Sequence, residues 1–263
     1  MRENRLRKRW AEQQPALGGW LTVPSGISAE ILAHAGFDWL CVDMQHGLID
    51  YAQMVQMLQA MSYTGVTPVV RVPWNEPGII GKCLDAGALA IVVPMVNSRA
   101  DAEAAARACR YAPVGARSYG PLRANYWAGS DYFSEANRLV CCVVMVETAA
   151  AVEAVEDIVS VDGVDAVYIG PADLSVSLGL PPAPDHVEEV FTAALSRIVA
   201  ACRRHGVAPG IAGNPTTAPK RVAEGFAMVE VASDSGLLAS GAATALSLLR
   251  PRDGAAGEST AYL

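Results

Sequence analysis

Charged and polar side chains follow several apolar segments of this sequence. The segment FDWLCVDMQHGLID, residues 37–50, begins apolar and delivers Asp43 and His46 near its end. A carboxylate three residues before an imidazole can orient that ring, and an oriented imidazole is a competent general base. We therefore predict that His46 is a catalytic acid or base supported by Asp43. The alternative is a structural histidine.

Two carboxylates come at the ends of two further apolar segments. Glu147 closes LVCCVVMVE, residues 139–147, and Asp173 follows VDAVYIGP, residues 164–171. Two like charges at adjacent strand ends repel each other unless a cation joins them. Hard divalent cations accept such carboxylates together with water and substrate oxygens. We predict a site for Mg²⁺, Mn²⁺ or Co²⁺ here; the alternative is an ordinary ion pair or two exposed charges.

Arg71 interrupts the apolar segment PVVRVP. Its guanidinium group cannot lose its charge, so a buried arginine at this point needs an anionic partner. Two interpretations follow. Arg71 either forms a structural salt bridge with Asp43 or Glu147, or it is a fork that binds a substrate oxyanion or carboxylate.

The turn GPAD contains Gly170, Pro171, Ala172 and Asp173 and leads into a short helical pattern. The backbone N–H groups of Gly170, Ala172 and Asp173 suit a carboxylate or phosphate oxygen. Because many loops contain Gly-Pro, the turn by itself is a weak signal.

Eight short apolar runs carry or precede these residues. Most are continuous, which is typical of parallel strands buried on both faces. A helical pattern follows each run, and no linker divides the chain, so we predict an α/β fold, a single-domain (β/α)8 TIM barrel; the alternative is an open doubly wound sheet. The runs occupy residues 18–23, 38–44, 67–73, 89–96, 139–147, 164–171, 207–213 and 227–233.

The barrel prediction places the polar residues together. Barrel enzymes carry their chemistry at the carboxyl ends of the strands, where Asp43, Arg71, Glu147 and Asp173 all fall. Residues 115–138 fit no simple connector, and long segments of this kind tend to be functional or interfacial. We predict a basic arm or helix over residues 1–16, the barrel over 17–251 and a flexible tail over 252–263.

Composition limits the function further. The chain has 263 residues, a net charge of -7 and a pI near 5.1, which disfavours nucleic acid as a partner. No apolar run reaches the ~18–20 residues of a membrane span. Six cysteines without a CxxC pair indicate reduced thiols and a cytoplasmic location. No lysine ends a strand, which argues against a Schiff-base enzyme.

Four segments together resemble a known family. AEILAHAGFDWLCVDMQHG, PVVRVP, LDAGALAIVVPMV and VETAAAVEAVEDIVSVDGVDAVYIGPADLSVSLG are similar to the HpcH/HpaI aldolases, class II pyruvate-dependent enzymes that include 4-hydroxy-2-oxoheptanedioate and 2-keto-3-deoxy-L-rhamnonate aldolases. The resemblance spans residues 17–250. It implies that Glu147 and Asp173 bind the divalent metal, that Arg71 holds the pyruvate keto or enolate oxygen, and that His46, backed by Asp43, is the acid/base.

The resemblance also implies contacts beyond these side chains. The amides of Gly170 and Ala172 would receive the pyruvate carboxylate, and Asp85 would reach an active site across a subunit boundary. Members of the family form hexamers with the last barrel helix on a neighbouring subunit, which assigns residues 235–250 to an interface. This chain departs from close relatives at Gln45, where several have Glu, and at Met145, where the heptanedioate enzymes have Gln; both positions bear on substrate binding.

The implied activity is metal-dependent cleavage or formation of 4-hydroxy-2-oxo acids through a pyruvate enolate, with pyruvate and an aldehyde as small-molecule partners. The same site would serve an oxaloacetate decarboxylase or a lyase of the citrate-lyase β or malyl-CoA type, although the sequence has no obvious basic patch for an acyl-CoA. A barrel-based binding protein without catalysis is the alternative outside the enzymes.

Overall fold

The computed structural model describes residues 2–249. Its eight strands are all parallel and close into a barrel in the order of the chain. The predicted (β/α)8 barrel is therefore confirmed, and the open sheet is excluded. The strands are β1 (Ala16–Leu21), β2 (Trp39–Asp43), β3 (Thr67–Arg71), β4 (Ala90–Val93), β5 (Cys141–Met145), β6 (Ala166–Ile169), β7 (Ala208–Ile211) and β8 (Met228–Ser233).

Helices surround the barrel. Ser98 and Thr148 cap the helices Arg99–Ala108 and Ala149–Glu153 through their side chains, which is common for these residue types. Ser25 caps the first barrel helix, Gly26–Ala33, by accepting the backbone N–H of Ser28. The helices are α1 (Arg5–Ala11), α2 (Gly26–Ala33), α3 (Tyr51–Ala60), α4 (Pro77–Asp85), α5 (Arg99–Ala108), α6 (Leu122–Ala128), α7 (Tyr132–Leu139), α8 (Ala149–Glu153), α9 (Val155–Val159), α10 (Pro171–Ser177), α11 (Glu189–His205), α12 (Ala218–Glu224) and α13 (Asp234–Ser247).

The apolar core has two shells. Side chains that point inward from the strands, such as Trp39, Val143 and Tyr168, fill the interior of the barrel. A larger shell, which includes Leu40 and Val144, packs between the strands and the helices. Successive strand residues alternate between the shells, and both shells are buried, which explains why the strands read as continuous apolar runs.

Helix α1 closes the amino-terminal end of the barrel. Leu6 is fully buried in the inner shell. The Asn4 amide group donates to the carbonyls of Leu89 and Leu139, at 3.0 and 2.9 Å, and its oxygen caps α1. Arg7 donates to the Asp165 carboxylate at 2.7 Å. The contacts of Leu6, Asn4 and Arg7 therefore anchor α1 to the barrel.

Residues 115–138 contain two helices that the sequence pattern does not reveal. Helices α6 and α7 form a satellite core in which Tyr132 is fully buried. They lie at the amino-terminal end of the barrel, because this segment joins α5 to the start of β5. The helical segment between β5 and β6 is divided into α8 and α9 at Ala154, whose ψ of 6° leaves the helical region.

Helix α13 extends away from the barrel. Only its first residue, Asp234, is buried, where the carboxylate accepts hydrogen bonds from Thr22 and the backbone of Val23. Leu238 and Leu246 are more than half exposed. No helix within residues 2–249 combines the length and apolar character needed to cross a membrane. The predicted tail, residues 252–263, lies outside the described residues.

Candidate active site

The centre of the site is an ion pair between neighbouring strand ends. Asp43 and Arg71 are the last residues of β2 and β3, and the register of the two strands places them side by side. Arg71 Nε donates to Asp43 Oδ1 at 2.8 Å, and Nη2 donates to Oδ2 at 2.5 Å. This bidentate geometry fixes the guanidinium plane. The structural salt bridge that the sequence left open is therefore present.

The Asp43–Arg71 pair leaves one edge of the guanidinium group available. Nη1 has only a 3.9 Å contact with the sulfur of Met145. Trp20 stacks against the group, with its ring centre 4.4 Å from Arg71 Cζ. Burial acts to raise the pKa of Asp43, but the hydrogen bonds and charge of Arg71 outweigh burial and lower that pKa. Asp43 is thus an anion that holds Arg71 in place.

In the loop after β2, Asp43 does not contact the His46 ring as the sequence spacing predicted. Asp43 Oδ1 accepts the backbone N–H groups of Gln45 and His46, at 3.0 and 3.3 Å, rather than the imidazole. A β-carbon at Gly47 would lie 2.3 Å from the Asp43 carbonyl oxygen, so the tight turn requires glycine. Asp43 therefore shapes the loop, and the His46 side chain is exposed at the rim.

Glu147 follows β5 and is buried, with 2% exposure. Its Oε1 accepts the backbone N–H of Met95 at 2.8 Å. Met95 has a φ of 55°, a left-handed conformation that is strained for a side chain of this kind. Burial raises the pKa of Glu147, and the charge of Asp173 raises it further against the opposing effects of Met95 and Arg71. Asp173 is therefore close enough to repel Glu147.

The carboxylates of Glu147 and Asp173 both lie beside Gly170. A β-carbon at this glycine would lie 2.9 Å from Glu147 Oε2 and 3.5 Å from Asp173 Oδ2, so both oxygens surround the same point. Neither carboxylate has a lysine or arginine bonded to it among residues 2–249, so the ordinary ion pair is not formed. A buried carboxylate beside a second one is the donor set that a divalent cation fits.

The rest of such a coordination sphere would have to be water or substrate. No group of three or more histidine, cysteine or acidic side chains within the described part of the chain could hold a metal ion. Magnesium commonly uses one or two carboxylates and keeps several waters. The two-carboxylate site therefore suits a hard cation better than zinc, which takes three or four protein ligands.

Met145 lines the same space, and Gln45 contributes a buried polar group from the loop after β2. The Met145 methyl group would lie 3.3 Å from a β-carbon at Gly170, and its sulfur contacts Arg71. Gln45 Oε1 is buried, and no hydrogen-bond donor within residues 2–249 reaches it. An unpartnered buried acceptor is costly, which identifies Gln45 as a group that a ligand or water could satisfy.

Asp85 does not join this site in its own subunit. It ends α4, and Arg117, which also bonds the Tyr132 hydroxyl, donates to its carboxylate at 2.7 Å. Because barrel helices run antiparallel to the strands, the end of α4 lies at the amino-terminal end of the barrel. A role for Asp85 in catalysis therefore requires a second subunit.

Three residues that the sequence analysis overlooked lie beneath Arg71. Trp20 Nε1 donates to the Tyr168 hydroxyl at 2.9 Å, and Glu230 projects inward from β8. Glu230 could have been found in the sequence, because it interrupts the apolar run AMVEVAS as Arg71 interrupts PVVRVP. The aromatic pair gives no such signal, since core residues of a barrel have the same character.

Fold and site together define a class of protein: a (β/α)8-barrel enzyme whose carboxyl rim combines two acidic groups suited to a divalent cation with a fixed arginine. Residues 17–241 match the family described as HpcH/HpaI aldolase/citrate lyase. The chain belongs to this family, as the sequence segments predicted.

Individual relatives agree with this assignment. The chain is 41% identical to a hydroxypyruvate/pyruvate aldolase of Rhizorhabdus wittichii, with 91% of this chain and 96% of that one covered. It is 41% identical to a 4-hydroxy-2-oxovalerate aldolase of Rhodococcus jostii over 90% of this chain and 92% of that one. The crystal structure of an HpcH/HpaI aldolase/citrate lyase family protein from Burkholderia cenocepacia superposes with a TM-score of 0.88 at 35% identity, covering 94% and 99% of the two chains.

Proposed function

We propose that this protein is a divalent-cation-dependent aldolase that cleaves and forms 4-hydroxy-2-oxo acids through a pyruvate enolate. One observation carries the proposal. The carboxylates of Glu147 and Asp173 meet at Gly170, and the rigidly held Arg71 contacts Met145 beside the same glycine. A 2-oxo acid needs positive charge beside its keto and carboxylate oxygens for the enolate to form. The named aldolase relatives support the same reaction class.

Each side chain has a part in this reaction. Glu147 and Asp173 hold the cation, which supplies Lewis-acid stabilisation of negative charge when it is bound. Arg71 donates through its free Nη1 edge to the oxygen on which the enolate charge develops. The amides of Gly170 and Ala172 receive the carboxylate of the pyruvate portion, and Pro171 starts the helix that follows.

In this proposal, His46 is the residue that transfers protons. In cleavage, its imidazole accepts the proton of the 4-hydroxyl group, the bond between C3 and C4 breaks, and the bonding electrons pass into the enolate. The aldehyde leaves, and the imidazolium of His46 returns its proton to C3, directly or through water, which gives pyruvate and restores the neutral imidazole. The exposed imidazole lies on the loop that Asp43 shapes. Gln45 has a buried oxygen that no donor among residues 2–249 reaches, and in this proposal it accepts a hydrogen bond from a hydroxyl group of the substrate.

Removing the cation tests the proposed function directly. We expect pyruvate release from a 4-hydroxy-2-oxo acid panel to be lost in EDTA and restored by Mg²⁺, Mn²⁺ or Co²⁺, because the two carboxylates repel without a cation. A coupled pyruvate assay measures this, and circular dichroism controls for folding. Oxaloacetate belongs in the panel, since decarboxylation uses the same enolate. A folded protein without turnover in either state would be a binding protein instead.

We also propose that the protein is a homo-oligomer, a hexamer by resemblance, in which α13 packs on a neighbouring subunit. The exposed leucines of α13 support this, because a solvated apolar helix is unfavourable. We expect Leu238→Glu to lower the mass measured by light scattering, whereas Val187→Glu, at an exposed position elsewhere, leaves it unchanged. An unaltered mass for Leu238→Glu would contradict the interface. The cytoplasmic location stays a prediction.

A further inference from the structure

Glu230 is an acidic side chain inside the barrel that the proposed reaction does not use. It lies two residues after Met228 along β8 and therefore on the same face, and Met228 belongs to the inner shell, so Glu230 also points inward. It is 9% exposed. Its Oε2 accepts one hydrogen bond, from the backbone N–H of Gly213 at 3.1 Å in the loop after β7. No lysine, arginine or histidine of residues 2–249 forms an ion pair with it.

The groups that face Glu230 come from three strands across the interior. Asp43 and Cys41 face it from β2, Arg71 from β3 and Tyr168 from β6, and each interacts electrostatically with it. Of these, Arg71 is the only cation, and Asp43 already neutralises it through two hydrogen bonds. A charged Glu230 would therefore have no cation of its own.

We propose that Glu230 is a positioning residue that must stay uncharged so that the free edge of Arg71 remains available to the enolate oxygen. This inference rests on the proposed function. An anionic Glu230 would compete with substrate for Arg71 Nη1, the edge that Asp43 leaves unused. It would also add negative charge where the enolate charge develops, and like charges at such a point slow the reaction.

The protonation state of Glu230 agrees with this role. Burial raises its pKa to about 8, against the lowering effects of the Gly213 N–H and of Arg71, and Asp43 adds to the increase. The carboxyl group is therefore mostly neutral at pH 7. Above pH 8 it ionises, and Arg71 then lies between two carboxylates.

The experiment compares pH profiles of wild type and Glu230→Gln. Glutamine keeps an oxygen for the Gly213 N–H but never carries a charge. We expect wild-type kcat/KM for aldol cleavage to fall about fivefold from pH 8 to pH 9, as the remaining neutral Glu230 ionises, and Glu230→Gln to retain its pH 7 activity without that decline. Glu189→Gln, on the exposed start of α11, should show the wild-type profile. If glutamine prevents folding, Glu230→Met provides an uncharged side chain of similar size.

A second measurement does not depend on catalysis. Because the folded-state pKa of Glu230 lies above its ordinary value of 4.5, ionisation costs the folded state stability as pH rises from 4.5 towards 8. The gain in urea midpoint of Glu230→Gln over wild type should therefore grow between pH 5 and pH 8. An active wild type whose alkaline decline persists in Glu230→Gln would overturn this inference alone. A wild type inactive at every pH would overturn the proposed function as well.

Discussion

Arg71→Ala is expected to lower kcat/KM for aldol cleavage by about 10²–10³, the typical effect of removing one donor to a developing oxyanion. The same substitution should slow the exchange of pyruvate methyl protons for deuterium, because exchange requires the enolate but no aldehyde. Proton NMR measures this exchange. Arg71→Lys should fall between wild type and Arg71→Ala, since lysine keeps a charge but cannot make the bidentate contact with Asp43.

Stability must be separated from chemistry in this experiment. Arg71→Ala leaves Asp43 buried without its cation, which costs about 3–5 kcal/mol of unfolding free energy for a pair of this kind. Arg221→Ala is the matched control, because Arg221 is also buried and pairs with Asp185 and Glu224 rather than with a residue of the candidate site. It should lose stability and keep its kcat. Folded Arg71→Ala with wild-type exchange and cleavage would refute the enolate role.

Glu147→Gln is expected to abolish cation binding and, with it, more than 99% of the cleavage activity at any practical Mn²⁺ concentration, taking ~10²-fold as the scale for a lost electrostatic contribution. One of only two carboxylates at Gly170 is then neutral. Titration calorimetry with Mn²⁺ measures the affinity. A cation that binds only the folded state also raises the melting temperature, so Mn²⁺ should stabilise wild type and not the variant.

Two further variants complete that comparison. Asp173→Asn should lose cation affinity in the same way, because its Oδ2 faces the same space as Glu147 Oε2. Glu153→Gln, whose carboxylate lies six residues further along and pairs with Arg197 on the surface, should bind Mn²⁺ like wild type. Unchanged Mn²⁺ affinity in Glu147→Gln would remove Glu147 from the proposed ligands.

The fold could be predicted from the sequence because parallel strands in a barrel are buried on both faces. Their apolar runs are continuous and short, and each is followed by a helix, so eight strands can be counted directly. Helices α6 and α7 escaped prediction because their segment has polar and aromatic residues that pack in a small satellite core. The apolar periodicity there is too short to indicate a helix.

The site was predictable to the level of strand ends and no further. Counting placed Asp43 and Arg71 on one rim, but their contact depends on the register between β2 and β3, which the sequence does not contain. Proximity along the chain instead suggested that Asp43 supports the His46 ring. Its bonds to Arg71 and to backbone amides show that a neighbour across a strand can take precedence over one three residues away.

Helix α1 limits the directions from which a substrate can enter the candidate active site. Leu6 and Asn4 close one end of the barrel and bulky side chains fill its interior, so residues 2–249 leave the site open to solvent at the opposite, carboxyl end. Both products must depart by the route through which the reactant arrived. An aldehyde with a long chain can extend only outward into solvent, so acceptor length should be tolerated more readily than branching next to the carbonyl carbon.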